Sequence, residues 1–247
     1  MSRHPPERVA LVTGAARGLG QAFAQRLAVD GCRLVLVDML DCGETAALVA
    51  AAGSGARATR CDLADSIAIE ALVREVLAHE GRVDILVNNA AYQPPTPWDQ
   101  LTASILRRML AVNTEASFLL AQGFAHGMIA RKWGRIINLA SSSAWSPPPS
   151  FTGYIATKMA NIGLARGLAR ELGPHGITVN CIAPGLTRTA AAIREVPGFI
   201  WDKVAEQQLV PRPGEPGDLV GALSFLCSDD AAFVTGQTYH VDGGATL

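Results

Sequence analysis

An alternation restricts this chain more than any other feature. Short apolar runs rich in β-branched residues recur along it, separated by Ala- and Leu-rich segments of helical length. The runs are Val9–Thr13, Arg33–Asp38, Arg57–Cys61, Val83–Asn88, Arg135–Ala140, Thr178–Ile182 and Thr238–Val241. Strands that alternate with helices in this way build a parallel sheet with helices on both faces, an α/β fold. Leu34–Val37 and Ile85–Val87 are apolar without interruption, as strands buried on both sides require. No internal repeat or linker interrupts the pattern, so residues 1–247 are read as a single domain.

Three stretches break the alternation. Pro94–Pro97 follows the fourth strand, and Ser146–Ser150, with three successive prolines, follows the fifth. Both lie after strand C-terminal ends, where α/β sheets place their ligand crevice. The third runs irregularly over about 187–217, carries Phe199 and Trp201, and is read as a substrate lid.

Composition narrows the classes of function. The chain has 21 Lys and Arg against 22 Asp and Glu, which argues against a nucleic-acid surface. The longest apolar stretch, Phe118–Ala130, contains Gln122, His126 and two glycines, too short and polar to cross a bilayer. Only a few polar residues precede Val9, with no secretory apolar region. Cys32, Cys42, Cys61, Cys181 and Cys227 are scattered, with no C-x-x-C pair, so neither a metal site nor a disulfide framework is expected. The expectation is a cytoplasmic protein acting on a small molecule.

Thr13-Gly14-Ala15-Ala16-Arg17-Gly18-Leu19-Gly20 stands where the first strand ends and a helix opens. Glycines there allow a tight turn and close approach of the backbone to a pyrophosphate, while the helix N-terminus offers N–H groups. The spacing is G-x-x-x-G-x-G rather than G-x-G-x-x-G, and any tight turn can use glycine. Asp38 gives the turn its meaning. It ends the second strand near the ~20-residue offset of a ribose-binding acid, and its charge repels a 2′-phosphate. Arg17 leans the other way, but Met39 supplies no second cation, so NAD is favoured over NADP. Asp62, followed by Leu63, ends the third strand, placed for an adenine amino group or for a helix N-cap.

Tyr154 and Lys158 form Y-x-x-x-K, one face of a helix at i, i+4. An ammonium beside a phenol lowers the phenol pKa and fits it for proton transfer. Taken alone, the pair is a common helix surface.

In order and in register, these motifs resemble the short-chain dehydrogenase/reductase family, in its compact single-domain branch, over essentially the whole chain. Thr13–Gly20 resembles the family's cofactor turn. Asn88-Asn89-Ala90-Ala91 resembles its N-N-A-G, with Ala91 in place of glycine, and Asn113 its fourth-helix asparagine. Ser141 lies thirteen residues before Tyr154, as the family serine does. Pro184-Gly185 with Thr187 and Thr189 resembles the nicotinamide-side P-G-x-x-x-T, and Gly236-Gln237-Thr238 with Val241–Gly244 the last strand. The resemblance implies a Rossmann-like doubly wound sheet of seven strands in the order 3-2-1-4-5-6-7. It also implies hydride transfer between NAD and a secondary alcohol or its ketone. Tyr154 would carry the proton, Ser141 hold the substrate oxygen, Lys158 tune the tyrosine and bind the nicotinamide ribose, and Asn113 hold a relay water.

Ser141, Ser142 and Ser143 are consecutive, and strand alternation is expected to turn Ser142 away from the tyrosine. Ala91 is tolerable unless that position needs positive φ. The expected substrate wall comprises Gln93, Pro94, Ser143, Trp145, Pro148, Phe151 and Leu186, with Ile193, Phe199 and Trp201 from the lid. It suggests an apolar or aromatic substrate. Two other functions stay open: a 3-oxoacyl carrier-protein reductase, with Arg131, Lys132 and Arg135 as a basic patch, and a non-enzymatic dinucleotide sensor. Ala156, Ala160, Gly163 and Gly167 share one face of the Tyr154 helix, with Met159, Ile162 and Leu168 expected toward the sheet. A small-residue face suits close packing. The resemblance implies that it pairs across a two-fold axis in a homotetramer.

Overall fold

The computed structural model describes residues 8–246. Strands β1 (Val9–Thr13), β2 (Arg33–Asp38) and β3 (Ala56–Arg60) alternate with helices α1 (Gly18–Val29), α2 (Gly43–Ala51) and α3 (Ser66–Glu80). β4 (Ile85–Asn88) leads to α4 (Ala103–Leu110), a π turn over Ala111–Glu115, and α5 (Ala116–Arg131). β5 (Gly134–Leu139), α6 (Thr152–Leu172) and β6 (Ile177–Pro184) follow. The short α7 (Ala190–Glu195) and α8 (Gly198–Gln207) precede α9 (Pro216–Cys227) and β7 (Thr238–Val241).

The sheet order is β3-β2-β1-β4-β5-β6-β7, and every pairing is parallel. Successive strand residues feed opposite cores. Val9 and Leu11 join α3, α5 and α6 on one side. Ala10 and Val12 join α1, α2 and α9 on the other. The strand order reverses between β1 and β4, which opens the crevice at the strand C-terminal ends.

Four sequence expectations need correction. Strand β4 starts at Ile85 rather than Val83, because Asp84 is spent on charge: its carboxylate takes Arg82 and Arg131 and the Val9 N–H. The basic patch does not form. Arg131 is paired with Asp84, and Arg135 is 1% exposed, donating to the Ser228 carbonyl at 3.0 Å. The N-cap of α3 is Asp65, which accepts from Ile67 and Ala68, not Asp62. Met159 is 47% exposed; the face of α6 turned inward is Tyr154, Thr157, Lys158, Asn161 and Ala165, while Ile162 and Leu168 pack at the core margin.

The stretch expected as a lid folds into α7 and α8, tied to the body by a bridge between Thr187 and Gly214. Trp201 is buried and donates to the Val196 carbonyl, whereas Phe199 and Ile193 are exposed. Among the described residues no helix is long and apolar enough to cross a membrane, and no cluster of three or more His, Cys, Asp or Glu is arranged to hold a metal ion.

Candidate active site

The glycine turn between β1 and α1 is built to be tight. Gly14 and Gly18 have φ of +65° and +62°, where other residues are strained. A Cβ on Gly14 would lie 2.8 Å from Asn89 Nδ2, and one on Gly20 would lie 2.0 Å from the Gly14 carbonyl oxygen. Asn89 holds the turn from β4, donating to the Thr13 and Gly14 carbonyls. Thr13 Oγ1 in return accepts from the Asn89 and Ala90 N–H groups. Helix α1 has no side-chain cap and no acid in its first turn, so its N-terminal N–H groups suit an anion.

Asp38 sits at the end of β2 beside this turn. One carboxylate oxygen accepts from the Ala16 N–H at 2.9 Å and the other from Leu40 N–H at 3.0 Å. Arg17 and Met39 are exposed on either side of it. Thr189 faces the turn from beyond β6: a Cβ on Gly18 would meet its methyl at 3.3 Å. Tight turn, uncapped helix end, strand-end acid and facing Thr189 fit a dinucleotide laid across the strand ends from β2 to β6. Asp62 lies along the same rim, where it accepts from Ala64 N–H and pairs with Arg108 of α4 at 3.2 Å. Ala91 is exposed and has no positive φ, so the missing glycine costs the backbone nothing.

Ser141, Tyr154 and Lys158 lie at the C-terminal end of β5, at the same edge of the sheet. Tyr154 stands on the first turn of α6 with the Ser141 hydroxyl near its phenol; burial pushes the phenol up to about 12, a rise that Ser141 partly offsets. Ser141 lies two residues beyond β5 and caps a short helical turn over Ser142–Ala144. Ser141 and Ser143 hydroxyls lie 2.8 Å apart, so both face the site; the turn, not strand alternation, brings them together.

Lys158 departs from the sequence expectation. Its ammonium donates to the Leu139 carbonyl at 2.7 Å and stands 5.5 Å from the Tyr154 ring centre. Burial pulls its own pKa down to about 8. Burial is therefore the main influence on the phenol.

Asn113 lies in the π turn and is 1% exposed. Its side chain accepts from Tyr92 N–H at 2.7 Å and donates to the Tyr92 carbonyl and to Thr157 Oγ1, both at 3.0 Å. It thus ties the segment after β4 to α6. Thr157 and the Leu139 carbonyl were missed from sequence. Thr157 sits one residue before Lys158 and fits no motif, and a carbonyl has no sequence signature.

Of the expected wall residues, Phe151 and Trp145 lie beside the triad. Phe151 stacks edge-on against Tyr154 at 5.9 Å, and Trp145 ends the turn begun at Ser141. Leu186 follows β6, and Gln93 is exposed beyond Tyr92. The Pro147–Pro149 loop is fastened to the Pro94 segment by the Thr96 N–H to Ser150 carbonyl bond, 2.8 Å.

A seven-stranded doubly wound sheet with a dinucleotide cradle and a Ser–Tyr–Lys triad at its C-terminal edge defines a class of nucleotide-dependent oxidoreductase. Comparison with known proteins sharpens this. Residues 14–246 match the family model described as enoyl-(acyl carrier protein) reductase. The chain is 36% identical to the BbsD subunit of (2S)-[(R)-hydroxy(phenyl)methyl]succinyl-CoA dehydrogenase from Thauera aromatica, covering 97% of both chains. It is 36% identical to galactitol 2-dehydrogenase from Agrobacterium fabrum, covering 96% of both. The crystal structure of a gluconate 5-dehydrogenase from Burkholderia cenocepacia in complex with NADP and tartrate superposes with a TM-score of 0.92 at 33% identity, covering 99% of this chain and 97% of that one. The chain belongs to the short-chain dehydrogenase/reductase family and is an oxidoreductase of that family.

Proposed function

We propose that the protein interconverts a secondary alcohol and its ketone with NAD, using Tyr154 as the proton carrier. The observation that carries this is the meeting of the Ser141 hydroxyl, the Tyr154 phenol and the Lys158 ammonium at the end of a cradle shaped for a dinucleotide. The cofactor, when bound, supplies or accepts the hydride. The chain's residues do the rest. Ser141 donates to the substrate oxygen and stabilises charge there as it develops. Tyr154 takes the alcohol proton in oxidation and returns it in reduction. Lys158 binds the ribose and supplies positive charge near the phenol, and Asn113 fixes the helix turn on which both depend.

With a phenol held near 12, ketone reduction has its proton in place at neutral pH, whereas alcohol oxidation needs the phenolate. Oxidation is therefore expected to speed up through the alkaline range, and reduction to persist until the phenol ionises.

Gly14, Arg17, Gly18, Leu19 and Gly20 would hold the pyrophosphate; Asp38 and Met39 the adenosine ribose; Asp62, Leu63, Ala90 and Ala91 the adenine; Pro184, Gly185, Thr187 and Thr189 the nicotinamide. The Asp38 carboxylate supports NAD, since no cation at Met39 offsets its charge. Trp145, Phe151 and Leu186 favour an apolar or aromatic group beside the reacting carbon. Relatives named for polyols, such as galactitol 2-dehydrogenase, favour a second reading in which hydroxyls of the substrate meet Ser143 and Gln93. A carrier-protein substrate is not favoured, because Arg131 and Arg135 are already paired or buried. The five free, buried cysteines support a reducing compartment, the cytoplasm.

Steady-state kinetics with apolar, aromatic and polyol alcohols, each with NAD and NADP, test the reading. We expect kcat/KM with NAD at least about tenfold above NADP, equivalent to ~1.4 kcal/mol. Asp38→Ala is expected to shrink that ratio. Equal use of NADP by the wild type contradicts the cofactor assignment.

A further inference from the structure

None of the motifs above uses His240. It lies on β7 opposite Ala183 of β6, two residues after Thr238, which pairs with Cys181. Cys181 and Ala183 belong to the core on the α6 side, so His240 stands on the face of the sheet that carries Tyr154.

The ring has partners on two sides. It packs edge-on against Trp145, with centroids 4.1 Å apart and planes at 66°. Its Nδ1 lies 2.7 Å from Thr246 Oγ1, and the Thr246 hydroxyl donates to Asp242 Oδ2. A hydroxyl has one proton to give. With that proton on the carboxylate side, Thr246 Oγ1 accepts, and His240 Nδ1 carries the hydrogen. The ring is thereby held in one orientation, with Nδ1 toward Thr246.

Trp145 in turn is one helical turn from chemistry. Its N–H donates to the Ser142 carbonyl at 2.9 Å, and the Ala144 N–H donates to the Ser141 carbonyl at 3.1 Å. The turn that Trp145 closes is the one that presents Ser141 to Tyr154. The residues just after His240 also carry other parts of the site. Gly185 N–H bonds the Val241 carbonyl, and at the end of α8 Gln208 donates to the Asp242 carbonyl.

We propose that His240 is a positioning residue for the substrate wall. Through Trp145 it fixes the shape of the pocket beside Ser141, while the backbone bonds of the turn hold Ser141 itself. It sets affinity for the alcohol without touching the reacting atoms. The proposal rests on the substrate site described under Proposed function.

A double-mutant cycle tests it with His240→Ala, Trp145→Ala and the pair, read by KM, kcat, NAD dissociation constant and tryptophan emission. His240→Ala is expected to raise KM roughly three- to tenfold, the range of one aromatic contact. It should leave kcat and NAD binding within about twofold and shift the emission spectrum. In the Trp145→Ala background it should change KM and emission no further. His240→Phe keeps a ring against the indole and should restore KM to within about threefold of wild type. It serves as the test if the alanine variant does not fold. An unchanged KM in His240→Ala, or equal effects in both backgrounds, overturns the proposal. If no alcohol in the panel is turned over, the functional reading has failed. The emission cycle then still decides the contact: a shift that survives Trp145→Ala overturns it.

Discussion

Lys158 shows most clearly how one residue trades stability for chemistry. It is 2% exposed, and burial holds its pKa near 8 against an ordinary 10.5. The unfolded chain therefore binds that proton more tightly than the folded one between about pH 8 and 10.5, so this group's cost to the fold is full below pH 8 and fades as pH rises. Tyr154 acts oppositely. With its phenol raised from 10 to about 12, the unfolded chain ionises first, and stability falls as pH climbs through that window. Lys158→Met removes a buried charge of similar length and leaves the Leu139 carbonyl with Asn161 as donor. At pH 7 we expect it to unfold at an equal or higher temperature, by on the order of 1–3 kcal/mol, while losing most activity and ribose affinity. Thermal melts at pH 7 and 10 check the sign: the advantage over wild type should shrink at pH 10. A variant clearly less stable at pH 7 would show that the Leu139 bond outweighs the desolvation of the ammonium.

Among the elements, the turn between β1 and α1 has the least tolerance. Gly20 lies inside α1, where glycine disfavours a helix by about 1 kcal/mol relative to alanine. It is there because a Cβ would overlap the Gly14 carbonyl at 2.0 Å and crowd Asn89. Gly20→Ala is therefore expected to lower stability and to raise the NAD dissociation constant by at least about tenfold, or ~1.4 kcal/mol. Calorimetric titration measures it, and unchanged affinity would mean that the turn does not cradle the cofactor. This element was legible in the sequence, because glycine spacing at a strand end has few other uses. The π turn at Ala111–Glu115 was not. Its residues, Ala-Val-Asn-Thr-Glu, carry no breaker, and the extra residue is stabilised by the distant contacts of Asn113 with Tyr92 and Thr157. Strand β4 was overrun by two residues for the same reason. Val83 and Asp84 look like strand until Arg82 and Arg131, at the far end of α5, claim the carboxylate.

Over the whole molecule the sheet has two unlike ends. The C-terminal edge carries the cradle and triad. At the other, Trp133 donates to Asp229 and lies between the Arg8 and Arg135 guanidinium groups, 3.5 and 4.3 Å from its ring. Strand order and the site's place on it were readable because every motif sits at a strand end. Burial of Arg135 was not, since an arginine at the start of a strand reads as solvated until its carbonyl partners are known. The outer face of α6 remains open in the single chain. Gly163 and Gly167 have nothing within 4 Å of a built Cβ, and Met159 is exposed. We propose that a second copy covers this face, in a homotetramer of D₂ symmetry. Light scattering at micromolar concentration should give about four times the 25.9 kDa chain mass. Gly163→Arg should dissociate it and lower activity, since the same helix carries Tyr154. A fully active wild-type monomer would contradict the assembly.

The central claim is that Tyr154 moves the proton while the cofactor moves the hydride. The most direct measurement compares wild type with Tyr154→Phe, using the best alcohol from the panel. NAD reduction gives the rate, and titration calorimetry gives NAD affinity. The ring still packs against Phe151, and only the phenol oxygen is lost. The expected result is a rate lower by about 10²–10⁴-fold with NAD affinity within about threefold of wild type. Retention of more than about a tenth of the rate would contradict it and place the proton on another residue.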